Sequence, residues 1–150
     1  MSDNAQMMKL YSARILALAA DIPHQGRLEA PQTSVKRRSP LCGSTVTVDL
    51  DMEEGRVTRF AQEVKACALG QAAAAILGQV VLGKTALELS QARVELYAML
   101  TENGPIPNAP FQAYEVLIPA RDYRNRHASI LLALDAALEA AQSLSAETTS

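Results

Sequence analysis

The chain has 150 residues, 49% hydrophobic and 20% charged, enough apolar material to bury one core and too much for a disordered chain. Fourteen Lys and Arg against sixteen Asp and Glu leave a net charge of −2, which supplies no field for gripping a phosphate backbone. With no Trp, two Phe and four Tyr, platforms for stacked bases are scarce as well, so nucleic acid is excluded as a principal partner. Residues 66–83 carry no charge over a length that would flag a membrane span. The stretch holds Gly70, Gly78, Gly83, Gln71, Gln79 and six Ala, however, and reads as a buried, tightly packed helix rather than a span. No basic segment followed by an apolar run opens the sequence, so no membrane partner and a cytoplasmic location are expected. The expected organisation is one domain over residues 1–150, with its core over about 8–143 and a flexible tail at 144–150.

In chain order, Met8, Tyr11, Ile15 and Leu18 recur at helical spacing and predict an amphipathic helix over about 5–20, stopped by Pro23. Residues 21–40 are irregular, with Pro23, Gly26, Pro31 and Pro40, and leave room for one short edge strand near 33–38. Residues 45–50 alternate, Val46, Val48 and Leu50 against Thr45, Thr47 and Asp49, which is a strand pattern. A turn over 51–55 leads to a returning strand at 56–64, whose alternation Gln62 dilutes between Phe60 and Val64. The Ala-rich helix then runs from Cys67 to about residue 82, with Gly83 at the cap. Thr85 and Glu88 form a capping box before the stripe Ala86, Leu89, Ala92, Leu96 and Met99, and Asn103-Gly104-Pro105 ends that helix. Residues 106–126 hold three prolines around a short helix at 111–117, and a last helix starts near Arg126. This order predicts an α+β domain, a small antiparallel sheet of about three strands with helices packed on it.

Three side chains stand out chemically. Cys42 lies on a loop before a strand, beside Gly43, and Cys67 opens a helix, where free N–H groups and the helix dipole favour an anion. His127 begins the last helix in register with Leu131 and Leu134, where a hydrogen-bonded core histidine is the default reading. Each cysteine also reads as a small core hydrophobe, and the set is compatible with a soft metal site or a cysteine–histidine nucleophile pair. Arg121, Arg124 and Arg126 read as a solvated, partner-facing or acid-pairing surface, and Lys36, Arg37 and Arg38 as a solvated run. No C-x-x-C, H-E-x-x-H, phosphate-loop, dinucleotide or nucleophile-elbow motif occurs.

Several segments, taken together, carry a family resemblance. They are IPHQGRL at 22–28, Pro40-Leu41-Cys42-Gly43 before a strand, a second strand running into Cys67 and a small-residue helix, GKTALEL at 83–89, and Arg126-His127-Ala128-Ser129-Ile130-Leu131. In this order and spacing, over about residues 10–142, the sequence resembles the IscU/NifU-like iron-sulfur cluster assembly scaffolds. The insertion before Ile118-Pro119-Ala120-Arg121 is similar to the longer SufU-type branch. The resemblance implies a SufE/NifU-like α+β fold and a binding platform rather than an enzyme. Such a platform takes sulfur from a cysteine desulfurase, holds iron or a nascent [2Fe–2S] cluster and passes it to iron-sulfur acceptor proteins; SufU-type members bind zinc and accept sulfur instead.

Carried over residue by residue, Cys42 and Cys67 match the first two cluster cysteines and His127 the histidine before the third. Two positions depart: Ala128 stands where the third cysteine would be, and Ser44 where the C-G-D motif has its aspartate. One chain thus offers two thiolates and one imidazole, one short of a closed tetrahedral set. Ser44, Asp122, an outside thiol, water or the second chain of a homodimer would have to complete it. A metal-free adaptor that keeps the fold and binds a cysteine desulfurase is the alternative reading, and an enzyme built on the Cys67 thiol ranks last.

Overall fold

A computed structural model of the chain describes residues 11–40 and 43–149, with side chains through residue 145. Strands β1 (Thr33–Arg38), β2 (Thr45–Glu53) and β3 (Arg56–Lys65) form an antiparallel sheet in the order β1-β2-β3. Helix α1 (Ala13–Ala20) precedes the sheet, and α2 (Ala68–Val80), α3 (Ala86–Thr101) and α4 (Arg124–Thr149) follow it, with a 3-10 segment over Gln112–Asp122 between the last two. This is the expected α+β arrangement.

Period-two patterning makes the hairpin. Val46, Val48 and Leu50 face inward opposite Val64, Gln62 and Phe60, and Glu54 and Gly55, at φ 53° and 79°, form the two-residue turn that a twisted hairpin prefers. A bulge at Asp51/Met52 shifts the register toward the turn. Gln62, the residue that breaks the apolar alternation, is fully buried and sends its Nε2 to the carbonyls of Ala74 (2.9 Å) and Pro23 (3.2 Å). Residues 24–26 pair along the free edge of β3. Gly26 N–H donates to the Gln62 carbonyl at 2.8 Å, and Gln62 N–H donates to that of His24 at 2.9 Å.

Helix α4 lies across β1 and β2, where Arg37 pairs with Glu139 at 2.6 Å, and α2 packs between α4 and α1. Ala72, Ala73, Ala74, Ala75, Gly70 and Gly78 bury most of the way round α2, which lets three helices approach closely. That helix ends at Val80, two residues before the expected end. Gly83, at φ 85°, donates instead to the Val57 carbonyl at 2.8 Å, and Val57 N–H returns a bond to Lys84 at 3.0 Å, so the chain leaves the helix to extend the sheet. The Thr85–Glu88 capping box opens α3.

Three expectations need correction. Helix α1 begins at Ala13 within the described residues, and the part expected over 5–10 lies outside them. Helix α4 spans Arg124–Thr149 and so starts two residues before its expected start near Arg126, with Leu144 buried in the core. Arg121 is not a solvated cation: its Nε donates to the Met99 carbonyl at 2.6 Å and its Nη2 to that of Gly104 at 2.9 Å, capping the end of α3. Among the described residues no helix is long and apolar enough to cross a membrane.

Candidate functional site

Strand register fixes where the site residues emerge. Arg38, Thr45 and Lys65 form the last row of the sheet. The β1–β2 connection, in which Cys42 stands, and the step from β3 into α2, in which Cys67 stands, therefore leave from the same end. Cys42 itself, with Leu41, lies outside the described residues. Around it, Gly43 N–H donates to the Ser39 carbonyl at 3.1 Å and Ser39 N–H donates to that of Ser44 at 2.8 Å.

Cys67 is the N-cap of α2, half-buried, in an extended conformation (φ −67°, ψ 170°), and its side chain makes no bond to the helix's own N–H groups. Its Sγ lies 3.6 Å from Ser129 Oγ on the first turns of α4. Ser129 Oγ in turn donates to Ser44 Oγ at 3.0 Å. Both serines are buried, and the three residues join β2, α2 and α4 at one point. Gly70 makes this approach feasible, because a Cβ there would stand 2.7 Å from Ser129 Oγ.

His127 lies two residues before Ser129, a rotation of about 200° around a helix, and so leaves α4 on another side. It is 8% exposed, with Nε2 2.9 Å from the Ala120 carbonyl oxygen. A carbonyl only accepts, so Nε2 carries the proton and Nδ1 holds the lone pair. Asp122 is exposed and lines one open, polar cavity with His127, Tyr97, Asn103, Arg121 and Arg124. The structure thus gathers Cys67 with Ser44 and Ser129, and His127 with Asp122. Among the described residues, which omit Cys42, no three His, Cys, Asp or Glu side chains cluster to hold a metal ion.

The profile of the NifU-like N terminal domain matches residues 10–130. The chain belongs to the NifU-like family. A nitrogen-fixing NifU-like protein (N-terminal part) from Brucella abortus is 44% identical, with 95% of this chain and 99% of that one covered and a TM-score of 0.91. A candidate iron-sulfur cluster assembly scaffold protein for the SUF system, from Fervidobacterium islandicum AW-1, shares the fold at 18% identity, with 89% and 98% covered and a TM-score of 0.78. No curated protein matches the sequence. Within this NifU-like chain, Ser129 and Gly70 are the site residues that sequence reasoning left without a role. The available signal was a serine inside the apolar run of α4, since a buried hydroxyl requires a partner.

Proposed function

We propose that this NifU-like chain is an iron-sulfur cluster assembly scaffold, a binding platform rather than an enzyme. It receives sulfur from a cysteine desulfurase and hands iron or a nascent [2Fe–2S] cluster, its cargo, to acceptor proteins. Cys42 and Cys67 supply thiolates, soft donors suited to iron and zinc, and His127 supplies an imidazole. The observation that carries the reading is Cys67 at the N-cap of α2 in a chain of this family, half-buried and unspent on capping. The His127 ring supports it. Histidines that bind metals characteristically donate their other N–H to a backbone carbonyl or carboxylate, as Nε2 does here to Ala120.

The test is the iron, zinc and acid-labile sulfide content of protein purified without oxygen, beside Cys42→Ser and Cys67→Ser variants prepared alike. Iron and sulfide in equal amounts, lost in both variants, are expected. Zinc without sulfide would favour a sulfur acceptor of the SufU type, and wild type without metal would favour the adaptor that binds a desulfurase and no cluster.

A further inference from the structure

The basic run at residues 36–38 alternates across β1. Arg37 faces the core side and pairs with Glu139 of α4, whereas Lys36 and Arg38 face the other side of the sheet, opposite Thr47 and Thr45 of β2. Glu63 and Lys65 of β3 complete two rows on that side, one of Lys36, Thr47 and Glu63 and one of Arg38, Thr45 and Lys65. The next row, Ser34, Asp49 and Ala61, is closed. Arg27 and Leu28 bond to Asp49 there at 2.8 Å and 3.0 Å, and both Asp49 and Ala61 are buried. The segment that covers this face therefore stops short of the last two rows, and the half it leaves bare is the end from which the Cys42 and Cys67 connections depart. All four charged residues on it are exposed and the two threonines between them are half-buried. Among the described residues none of these six side chains has a hydrogen-bond or ion-pair partner. Three cations against one acid make this a positive patch on a chain whose net charge is −2.

We propose that this bare half of the sheet docks an acidic helix of a partner protein, its carboxylates received by Lys36, Arg38 and Lys65 and by the hydroxyls of Thr45 and Thr47. Lys36 and Arg38 stand about 7 Å apart along β1, and Arg38 and Lys65, two strands apart, about 10 Å. Helix residues four and seven positions apart are separated by about 6 and 10.5 Å along the axis, so carboxylates at those positions span the same intervals. A nucleic-acid strand fits less well, because Glu63 stands in its path and neither row holds an aromatic side chain on which a base could stack. A lipid surface fits less well too, since polybasic membrane segments use about four to eight cations. Lys65 lies two residues before Cys67. Under the proposed function, on which this part of the inference rests, the docked helix belongs to the partner that exchanges cargo with the thiols.

The probe is a synthetic Ala-rich helical peptide of about 15 residues, with Glu at positions one and two turns apart. It is added to the isotope-labelled full chain without metal, at low salt, and followed by NMR. The docking face predicts amide shifts concentrated in residues 36–38, 45–47 and 63–65 that shrink as salt is raised. In the double variant Lys36→Glu, Lys65→Glu, whose unchanged amide dispersion shows that it is folded, the initial slope of shift against peptide concentration should fall about tenfold. A peptide with Lys in place of Glu should restore it. Shifts scattered over the surface, shifts that charge reversal leaves unchanged, or no shifts at millimolar peptide overturn the proposal. So does an oligouridylate or a phosphatidylserine vesicle that moves the same amides more strongly at equal charge concentration, since the occupant would then be a phosphate. Each of these results leaves the metal-binding reading of the cysteines standing, which the iron, zinc and sulfide assay tests separately.

Discussion

His127 aims Nε2 at the carbonyl oxygen of Ala120, 2.9 Å away and seven residues earlier in the chain. The bond ties the start of α4 to the 3-10 segment and settles which ring nitrogen carries the proton. It gives the histidine a structural donor at Nε2 and, under the proposed function, leaves the Nδ1 lone pair for a metal.

Substitution at this position should separate them. His127→Ala should cost about 1 kcal/mol of stability in metal-free protein, the net worth of one buried hydrogen bond. His127→Gln, which keeps an N–H for Ala120, should recover most of that. Both should weaken metal binding by at least the roughly 10–100-fold that loss of an orienting partner costs a metal site. Urea unfolding and Co(II) titration of the same preparations read the two effects independently.

Gly70→Ala pits helix propensity against packing. The added methyl gains about 1 kcal/mol in a helix interior. It would also stand 2.7 Å from Ser129 Oγ and 2.9 Å from Ala66 Cβ, and overpacking of this kind costs about 1–3 kcal/mol. Net destabilisation is expected, smaller in a Ser129→Ala background, where the nearest atom is gone. A double-mutant cycle measured by urea unfolding should therefore show coupling of about 0.5 kcal/mol or more, and strict additivity would mean the two residues do not meet.

Much of the fold was legible because it rests on local pattern. The 45–50/56–64 hairpin follows from period-two alternation and from Gly55, the edge strand 33–38 from β-branched residues among prolines, and α3 from Thr85 and Glu88. The boundaries that shifted depend on distant partners. Helix α2 stops early because Gly83 is recruited by Val57, and Arg121 is drawn from solvent by the carbonyls at the end of α3. The Pro119-containing stretch forms a 3-10 segment longer than the expected short helix. At the site, Cys67 as a helix opener was readable from the strand that precedes it. The contact of Cys67 with Ser129, and the space that Gly70 leaves for it, join residues far apart in sequence, and no spacing rule within one element encodes them.

Asp49 makes stability depend on acid. Its side chain is fully buried in β2, and burial alone would push its pKa up. The Arg27 guanidinium at 2.8 and 3.1 Å, the Ser34 hydroxyl at 2.6 Å and the Leu28 N–H at 3.0 Å outweigh this and hold it below the usual carboxylate range. A carboxyl whose folded pKa is depressed contributes stability that is present above its unfolded value, about 3.9, and lost as pH falls through the folded one. Asp49→Asn should cost about 1.5–3 kcal/mol at neutral pH, the range for hydrogen bonds to a charged group. Below about pH 4 the two proteins should converge, because the wild type then loses what the variant never had. Urea midpoints measured from neutral to acid pH check both the offset and the convergence.

The central claim, that Cys42, Cys67 and His127 face a metal, is tested most directly by X-ray absorption at the zinc edge of the zinc-loaded chain. The account predicts sulfur neighbours at about 2.3 Å together with imidazole nitrogen at about 2.0–2.1 Å. Half of the sulfur amplitude should be lost in Cys67→Ser, and the imidazole scattering in His127→Ala. A shell of oxygen alone, or one that Cys67→Ser leaves unchanged, would contradict it.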